Sequence, residues 1–260
     1  MIFHVSRESM IELLKNNKRI DERGLYDYRK IKINKNVVPK AEGSAEVFLG
    51  NTHVIAGVKM DLGTPFPDRP DEGVLITNAE FVPLASPDFE PGSPKPDSIE
   101  MARVVDRAIR ESKAIDTKSL CIEPGKKVWT IFVDIYVIDY DGNLIDASSI
   151  AALEALLNSK FPKITKEGEE YKIDYETKTN PLTLSKKPLC VTFGKIGNYI
   201  IVDPTALEEE NMDARLTVGS TENELCSMQK GGVNGGFTPD EIKEIVKKAH
   251  EIGNNLRKLL

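Results

Sequence analysis

The sequence is poor in the residues that build disulfide frameworks, zinc sites and histidine-based active sites. Its 260 residues include only three cysteines, Cys121, Cys190 and Cys226, and three histidines. The cysteines do not form a CxxC motif, and the histidines form no HExxH pattern and stand beside no cysteine. These absences argue against a zinc site and a histidine-activated nucleophile. We expect three reduced core thiols, no bound metal and no cofactor.

Long apolar runs are also missing. The amino-terminal stretch, MIFHVSRESMIELLKNNKRIDERG, lacks the basic start, apolar run and small-residue cleavage site of a secretory signal. No later stretch reaches the about 18 consecutive apolar residues that a membrane-spanning helix needs. We therefore expect a cytoplasmic chain with no membrane partner.

Positive charge is in deficit. The 35 lysines and arginines are outnumbered by 41 aspartates and glutamates, for a formal net charge of −6. Affinity for nucleic acid comes chiefly from lysines and arginines that neutralise phosphates, so this balance argues against a surface that binds nucleic acid all over. Any contact with RNA must be local. The 40% hydrophobic and 29% charged content is otherwise that of an ordinary globular protein.

The order of predicted elements indicates an α+β protein built as two halves. Alternating residues around Gly50 and Asn51 predict a hairpin, Ser98 is the predicted N-cap of a helix, and SSIAALEALLNSKF predicts a small buried helix. Further strands, another hairpin and a carboxy-terminal helix with a capping box of Thr238 and Glu241 follow. The second half repeats the first in outline, which suggests the hypothesis of an internal duplication.

These patterns divide the chain into four predicted segments. Residues 1–18 are expected to form an amino-terminal docking helix capped by Ser6. Residues 19–160 are the first domain, 161–183 a charged linker with some strand content, and 184–260 the second domain. Each domain is predicted to be a mixed β-sheet with helices packed on one side.

Five stretches of the chain resemble the RNase PH family. They are RIDERGLYDYR, GSAEVFLGNTHVIAGV, EMARVVDRAIRESKAID, DYDGNLIDASSIAAL and IIVDPTALEEENMDARLTV, and the resemblance extends over nearly the whole chain. Within the family, the chain resembles the non-catalytic ring subunits of archaeal exosomes.

This resemblance implies two ribosomal-S5-like halves and a hexameric ring in which such a subunit alternates with a catalytic RNase PH-like relative. It also implies the reaction of the ring, in which phosphate attacks the 3′-terminal linkage of single-stranded RNA and releases a nucleoside diphosphate. Exosome cap proteins of the S1 or KH type are further partners that it implies.

The chain departs from the active members of that family at the phosphate site. A phosphorolytic site holds an anionic nucleophile beside an anionic backbone, so it needs cations and oriented donors. In active members an arginine flanked by hydroxyl residues follows an Asp-Gly pair. Here Ile145 stands in about that place, and Asp146 adds a negative charge beside it. We therefore predict no catalytic residue in this chain.

The second site feature of active members, an acidic cluster, is degenerate. Only Asp203 matches, Thr205 replaces an acid, and Glu208 and Glu209 are longer than aspartate where small displacements matter. We expect a solvated acidic loop that holds no metal. The alternative is a hard-cation site formed by carboxylates of Asp203, Glu208, Glu209 and Asp213.

Three arginines share one face of the first long predicted helix. Arg103, Arg107 and Arg110 follow one another at steps of four and three residues. The resemblance implies that Arg103 and Arg107 face the RNA path at the interface with the catalytic subunit, with Arg110 a third candidate. Arginine suits this task because its guanidinium donates twice to a phosphate. The alternative is a set of ordinary ion pairs with the nearby acids Glu100, Asp106 and Glu111.

Three functions therefore compete. The leading one is a non-catalytic, RNA-orienting subunit that completes the active site of its partner. A self-sufficient phosphorolytic exoribonuclease is the first rival, and Ile145, Asp146 and Thr205 oppose it. A stand-alone RNA-binding module of ribosomal-S5-like fold is the second rival, and the net acidity opposes that one.

Overall fold

A computed structural model describes residues 6–168, 170–232 and 235–260 of the chain. No helix within these residues is both long and apolar enough to cross a membrane. In chain order, the helices and strands are α1 (Arg7–Lys15), β1 (Ile31–Lys35), β2 (Gly43–Leu49), β3 (Thr52–Gly63), β4 (Val74–Phe81), α2 (Pro96–Glu111), β5 (Cys121–Glu123), β6 (Lys127–Asp139), α3 (Leu144–Leu157), β7 (Lys160–Glu167), β8 (Glu170–Pro181), β9 (Leu189–Ile196), β10 (Tyr199–Val202), α4 (Ala206–Glu209), β11 (Ala214–Ser220), β12 (Leu225–Gly231) and α5 (Pro239–Arg257).

The first half contains a mixed sheet. Its strands follow the order β1-β2-β3-β6-β4, and β5 pairs with β6. Strands β4 and β6 run parallel, and the other pairs are antiparallel. Residues of β3 alternate between buried and half-exposed, which is the pattern of a sheet covered on one face. Strand β4 ends the order and is an edge strand.

Helix α3 lies in the middle of the molecule because its residues, apart from Asp146 and Glu154, are apolar or small. All of its residues from Ile145 to Leu156 are buried. A helix that is apolar all round is stable only where every face is covered. Helix α3 contacts β2 and β3 of the first sheet and β9 of the second. It therefore joins the two halves.

The second sheet differs from the prediction of a mixed sheet with helices on one side, because its strands are all antiparallel and it has a helix on each face. Its strands follow the order β10-β9-β11-β12, and all its pairs are antiparallel. Thr192 of β9 bonds Asp146 of α3, whereas Lys195 of the same strand bonds Glu241 of α5. Positions three apart on a strand point to opposite faces, so α3 and α5 cover opposite sides of this sheet.

One hydrophobic core spans both halves. The same buried cluster contains Val54 and Ile135 of the first sheet, Ile150 of α3, and Val191 and Val218 of the second sheet. The predicted α+β class with two sheet-containing halves is confirmed. The two sheets differ in strand order, and only the first has a parallel pair. They therefore do not repeat one plan, contrary to the hypothesis of internal duplication.

Helix α1 docks on the second sheet. Met10 and Leu14 are buried against Ile196 and Ile201. Ser6 is the N-cap, as predicted, and its side chain accepts from the backbone N–H of the third helical residue. Residues 1–5 of the predicted docking segment lie outside the described residues.

The segment predicted as a linker with some strand content, 161–183, consists almost entirely of a folded antiparallel ribbon. Strands β7 and β8 pair along most of its length, with Ile164 opposite Ile173. Both isoleucines pack against the main core. The strands were hard to recognise in the sequence because many of their residues are charged. These charged residues lie at the exposed positions of a two-stranded ribbon.

Helix α2 begins earlier than predicted. Lys95 is its N-cap and Pro96 occupies its first turn, whereas Ser98 lies inside the helix. The hydroxyl of Ser98 donates to the carbonyl oxygen of Lys95 at 2.9 Å. Proline starts the helix because its φ is already helical and its missing N–H needs no partner there.

Candidate functional site

The turn between β6 and α3 brings the two halves of the chain into contact. Gly142 and Asn143 have positive φ angles of 82° and 54°, a region that these residue types enter at low cost. A Cβ atom on Gly142 would lie 2.4 Å from the carbonyl carbon of Thr205 and 2.6 Å from the carbonyl oxygen of Pro204. The turn therefore packs directly on the backbone of the acidic segment in the second half.

Asp203 lies at the centre of this contact and is fully buried. Arg29 donates to its carboxylate from Nη2 at 2.8 Å, from Nε at 3.0 Å and from the backbone N–H at 2.8 Å. Arg23 adds a bond at 2.9 Å and Asn143 one at 2.7 Å. Burial by itself would raise the pKa of Asp203, but the hydrogen bonds and charge of Arg29 outweigh it and hold the pKa below its usual value. The chain thus neutralises this carboxylate from within.

Glu208 is buried as well. Its carboxylate accepts from Arg19 at both oxygens, with Nε and Oε1 2.8 Å apart. Arg19 also donates to the carbonyl oxygens of Val202 at 2.7 Å and Asp203 at 2.8 Å. The prediction of a solvated acidic loop is therefore wrong for Asp203 and Glu208. Arginines from a distant part of the chain cover these acids, and no local pattern indicates that.

The alternative of a metal site is contradicted as well, because its carboxylates bind different partners. Glu209 accepts from the hydroxyl of Tyr140 at 2.7 Å, and Asp213 accepts twice from Arg7, at 2.7 and 2.8 Å. Within residues 6–168, 170–232 and 235–260, no group of three or more His, Cys, Asp or Glu residues is placed to hold a metal ion.

A cleft of about 210 Å³ opens beside the amino terminus of α3. Two of its aromatic residues, Phe89 and Tyr140, have ring centroids 5.4 Å apart. Arg215, the one basic residue among the described residues that line the cleft, bonds Glu100 at 2.8 Å. The full lining comprises Phe81, Phe89, Asp97, Glu100, Met101, Tyr140, Asn143, Leu144, Ile145, Thr192, Glu209 and Arg215.

A carboxylate of the chain itself occupies the amino terminus of α3. The backbone N–H of Asn143, the N-cap residue, donates to Oε1 of Glu209 at 2.9 Å. Burial raises the pKa of Glu209 above its usual value, and the bonds from Asn143 and Tyr140 only partly offset this effect. The amino terminus of a helix is a common binding site for phosphate. Here the N-cap N–H of the helix donates to the carboxylate of Glu209.

Ile145 lines the cleft, but Asp146 does not. Asp146 is fully buried on the side of α3 that faces β9, and it accepts from Tyr28 at 2.5 Å, Asn143 at 2.9 Å and Thr192 at 2.8 Å. Burial raises its pKa to about 6 against these bonds. The expectation that Asp146 places a negative charge at the phosphate site is therefore wrong. The carboxylates that line the cleft are those of Asp97, Glu100 and Glu209.

The charge of this cleft decides what it can bind. The three carboxylates of its described lining are accompanied by a single guanidinium, that of Arg215, which is already paired with Glu100. At an effective dielectric constant near 20, a unit negative charge 4 Å from a phosphate charge costs about 4 kcal/mol. The nearby arginines Arg19, Arg23 and Arg29 do not line the cleft and bond Glu208 or Asp203 instead. The cleft is suited to exclude phosphate rather than to hold it.

The three arginines of α2 have different surroundings. Arg103 is exposed and makes no ion pair with a described residue. Arg107 donates to Gln229 of β12 at 2.6 Å, and its Nε is buried without a partner in the part of the chain that is described. Arg110 bonds Asp106 at 2.8 and 3.0 Å and the carbonyl oxygen of Leu75 at 2.9 Å. The ion-pair alternative thus describes Arg110, and RNA contact by these arginines stays a prediction.

Several residues of this site carry no local sequence pattern that points to it. Asp97 and Glu100 belong to the first turns of α2, and Arg215 is the second residue of β11. Phe81 and Phe89, with ring centroids 4.9 Å apart, come from the end of β4 and the loop after it. Only the packing of the two halves brings these residues to the same cleft.

Comparisons with known proteins agree with this architecture. Residues 27–162 match the 3′ exoribonuclease family, domain 1, and residues 187–252 match domain 2 of the same family. The chain is 47% identical over 256 residues to the exosome complex component Rrp42 of Pyrococcus furiosus, covering 98% of this chain and 92% of that protein. It is 49% identical over 253 residues to the Rrp42 of Thermococcus kodakarensis, covering 97% and 93%. A chain of the Archaeoglobus fulgidus exosome with RNA bound to the active site superimposes with a TM-score of 0.88 at 44% identity, covering 97% of this chain and 96% of that one.

Proposed function

The chain belongs to the 3′ exoribonuclease family of RNase PH proteins, and from this premise we propose that it is a non-catalytic subunit of an archaeal exosome ring. The ring degrades RNA in the 3′-to-5′ direction, and this subunit orders the active site of its partner. The similarity to exosome components over nearly the full length of each protein supports this proposal.

The bond between Glu209 and the N-cap of α3 carries the non-catalytic part of the proposal. An active phosphorolytic site needs positive charge and free donors around the attacking phosphate. Here the Asn143 N–H donates to the carboxylate of Glu209, and Ile145 supplies no cation. The guanidinium of Arg215 is paired with Glu100. All of these features oppose phosphate binding at the same place.

The partner in this proposal is a catalytic RNase PH-like subunit that alternates with this chain in a hexameric ring. Cap proteins of the S1 or KH type and single-stranded RNA complete the assembly, which acts in the cytoplasm. Arg103, Arg107 and Arg110 are the proposed RNA-binding residues. Arg103 leads because it is exposed and makes no ion pair with a described residue, so it is available to an RNA phosphate.

The test is phosphate-dependent release of nucleoside diphosphates from poly(A). The chain alone, its catalytic relative alone and the mixture are assayed at equal subunit concentration. We expect no release above background from this chain alone, and clearly more release from the mixture than from the relative alone. The reason is that the cleft rejects phosphate, whereas the interface completes the site of the partner.

Either rival function predicts a different result. Robust release by this chain alone would establish an autonomous exoribonuclease. A stand-alone RNA-binding module would be established by a chain that is a monomer in size-exclusion chromatography with light scattering and binds RNA by itself. Such a chain would neither assemble with the catalytic relative nor alter its activity.

The proposed RNA contacts give a salt-dependence prediction. In the assembled ring, we expect the double variant Arg103→Gln/Arg107→Gln to flatten the slope of log Kd for single-stranded RNA against log salt concentration by about 1.4. Each phosphate contact to a single strand contributes about 0.7 to that slope. Fluorescence anisotropy over a salt series measures it. Arg110→Gln is expected to change the slope less, because Asp106 holds the Arg110 guanidinium.

The matched control is Lys243→Gln/Lys258→Gln, which removes two positive charges from exposed positions in and just after α5. We expect this control to leave the slope at the wild-type value. The same slope for the arginine variant and the wild-type ring would contradict the assignment of Arg103 and Arg107.

A further inference from the structure

A groove of about 700 Å³ runs along β4 and the loop that follows it. Strand β4 pairs with β6 on one side and has no other strand partner among the described residues. The outer edge of such a strand presents backbone donors and acceptors to any extended chain laid beside it. Pro91, Gly92 and Pro94 in the loop form part of the opposite wall.

The groove is strongly acidic. Glu90 is its one carboxylate with an ion pair among the described residues, to Lys95 at 3.0 Å. Asp134 of β6 accepts only a neutral hydrogen bond, from Asn78 at 3.1 Å. Four carboxylates line the groove without an ion pair to a described residue, namely those of Glu80, Asp88, Asp97 and Asp134. Such a surface repels RNA and attracts basic groups.

Aromatic side chains stand among these carboxylates. Phe81 and Phe89 pack with ring centroids 4.9 Å apart, and Tyr136 is 42% exposed. The apolar stems of lysine and arginine pack on such rings, and their charged groups are attracted to the ring faces. The groove therefore offers both contacts that a basic side chain makes.

We propose that this groove binds an extended, lysine- and arginine-bearing segment of a partner polypeptide, which pairs as an added strand with the free edge of β4. Charge complementarity selects a basic occupant, and the edge strand selects an extended backbone over a small free cation. This inference goes beyond the proposed role in RNA degradation and does not depend on it.

The register of β4 specifies the pattern of the partner segment. Asn78 and Glu80 are two residues apart and lie opposite Asp134 and Tyr136 of β6, so all four belong to the same face of the sheet. An added strand presents alternate side chains to that face. Basic residues at every second position of the partner segment therefore lie beside Glu80 and on the same face as Asp134, which is one strand further into the sheet.

The test uses a fluorescein-labelled peptide in which arginine alternates with threonine, titrated with the full chain and followed by anisotropy. We expect saturable binding that weakens with salt, and increased protection of the β4 amides from hydrogen exchange. Glu80→Gln/Asp134→Asn is expected to weaken binding about two- to thirtyfold, because it removes two exposed ion pairs with the peptide. The control Asp240→Asn/Glu251→Gln removes the same charge from exposed positions of α5 and is expected to bind like wild type.

Two further probes distinguish the proposed occupant from others. A peptide of the same sequence with its alternate backbone nitrogens methylated keeps its charge but cannot donate to β4, so we expect its binding to be lost. Equal binding of the methylated peptide, or full displacement by spermine, would mean that the groove takes cations without strand pairing and would overturn the proposal. Equal binding by the Glu80→Gln/Asp134→Asn variant and its control would overturn it too.

Discussion

Arg19→Met is expected to lower the free energy of unfolding by about 3 to 5 kcal/mol, because it leaves the carboxylate of Glu208 buried without its countercharge. The side chains of Arg19 and Glu208 are 0% and 2% exposed. The substitution also removes the donors to the carbonyl oxygens of Val202 and Asp203. Urea unfolding followed by circular dichroism measures the loss.

Two further variants distinguish the cost of leaving a buried carboxylate unpaired from any general effect of removing a positive charge on the free energy of unfolding. Lys40→Met breaks the exposed pair between Lys40 and Glu176, whose side chains are 84% and 82% exposed, so we expect a far smaller loss. The double variant Arg19→Met/Glu208→Met removes both charges and is expected to be more stable than Arg19→Met alone. A loss for Arg19→Met no larger than that for Lys40→Met would contradict the structural role of this pair.

Gly142→Ala is expected to lower the free energy of unfolding by about 3 kcal/mol or more. Part of this cost, about 1–2 kcal/mol, arises because alanine disfavours the φ of 82° at this position. The rest arises because the new Cβ would lie 2.4 to 2.6 Å from backbone atoms of Pro204, Thr205 and Ala206. The two segments must then move apart, which also separates the N-cap of α3 from Glu209. Urea unfolding measures this loss of unfolding free energy.

Gly125→Ala is the matched control. Gly125 also has a positive φ, 76°, but nothing lies within 4 Å of a Cβ atom placed there. Its substitution is therefore expected to cost only the backbone part, about 1–2 kcal/mol. Equal losses for the two alanine variants would mean that the close approach of the turn to the acidic segment contributes nothing to stability.

Ile145 and Asp146 illustrate how far sequence reasoning reached at the site. The absence of a cation at Ile145 was predictable, because the turn that places this residue is local and starts from an Asp-Gly pair. The direction of Asp146 was not predictable, because neighbouring helical residues point to different sides and only the position of β9 decides which side is buried. Asp146 therefore faces β9, and the carboxylates that line the cleft belong to Asp97, Glu100 and Glu209.

The arginines of α2 illustrate the same limit. Their spacing placed Arg103, Arg107 and Arg110 on one helix face, and spacing is a property of the helix alone. Gln229 of β12 and Leu75 of β4 then give two of them different bonds. Whether an arginine is available to RNA depends on these neighbours, which the helical spacing does not contain.

The sequence by itself determined most of the elements, the fold class and the family. Local patterns were sufficient for these because the hairpin around Gly50, the cap at Thr238 and the largely apolar helix α3 each depend on residues close together in the chain. Only the tertiary structure decided which acids are solvated and which are paired. Arg19 and Glu208 are 189 positions apart, and Arg29 and Asp203 are 174 apart. Burial and pairing of such residues follow from how the two sheets pack around α3, and no local pattern encodes that packing.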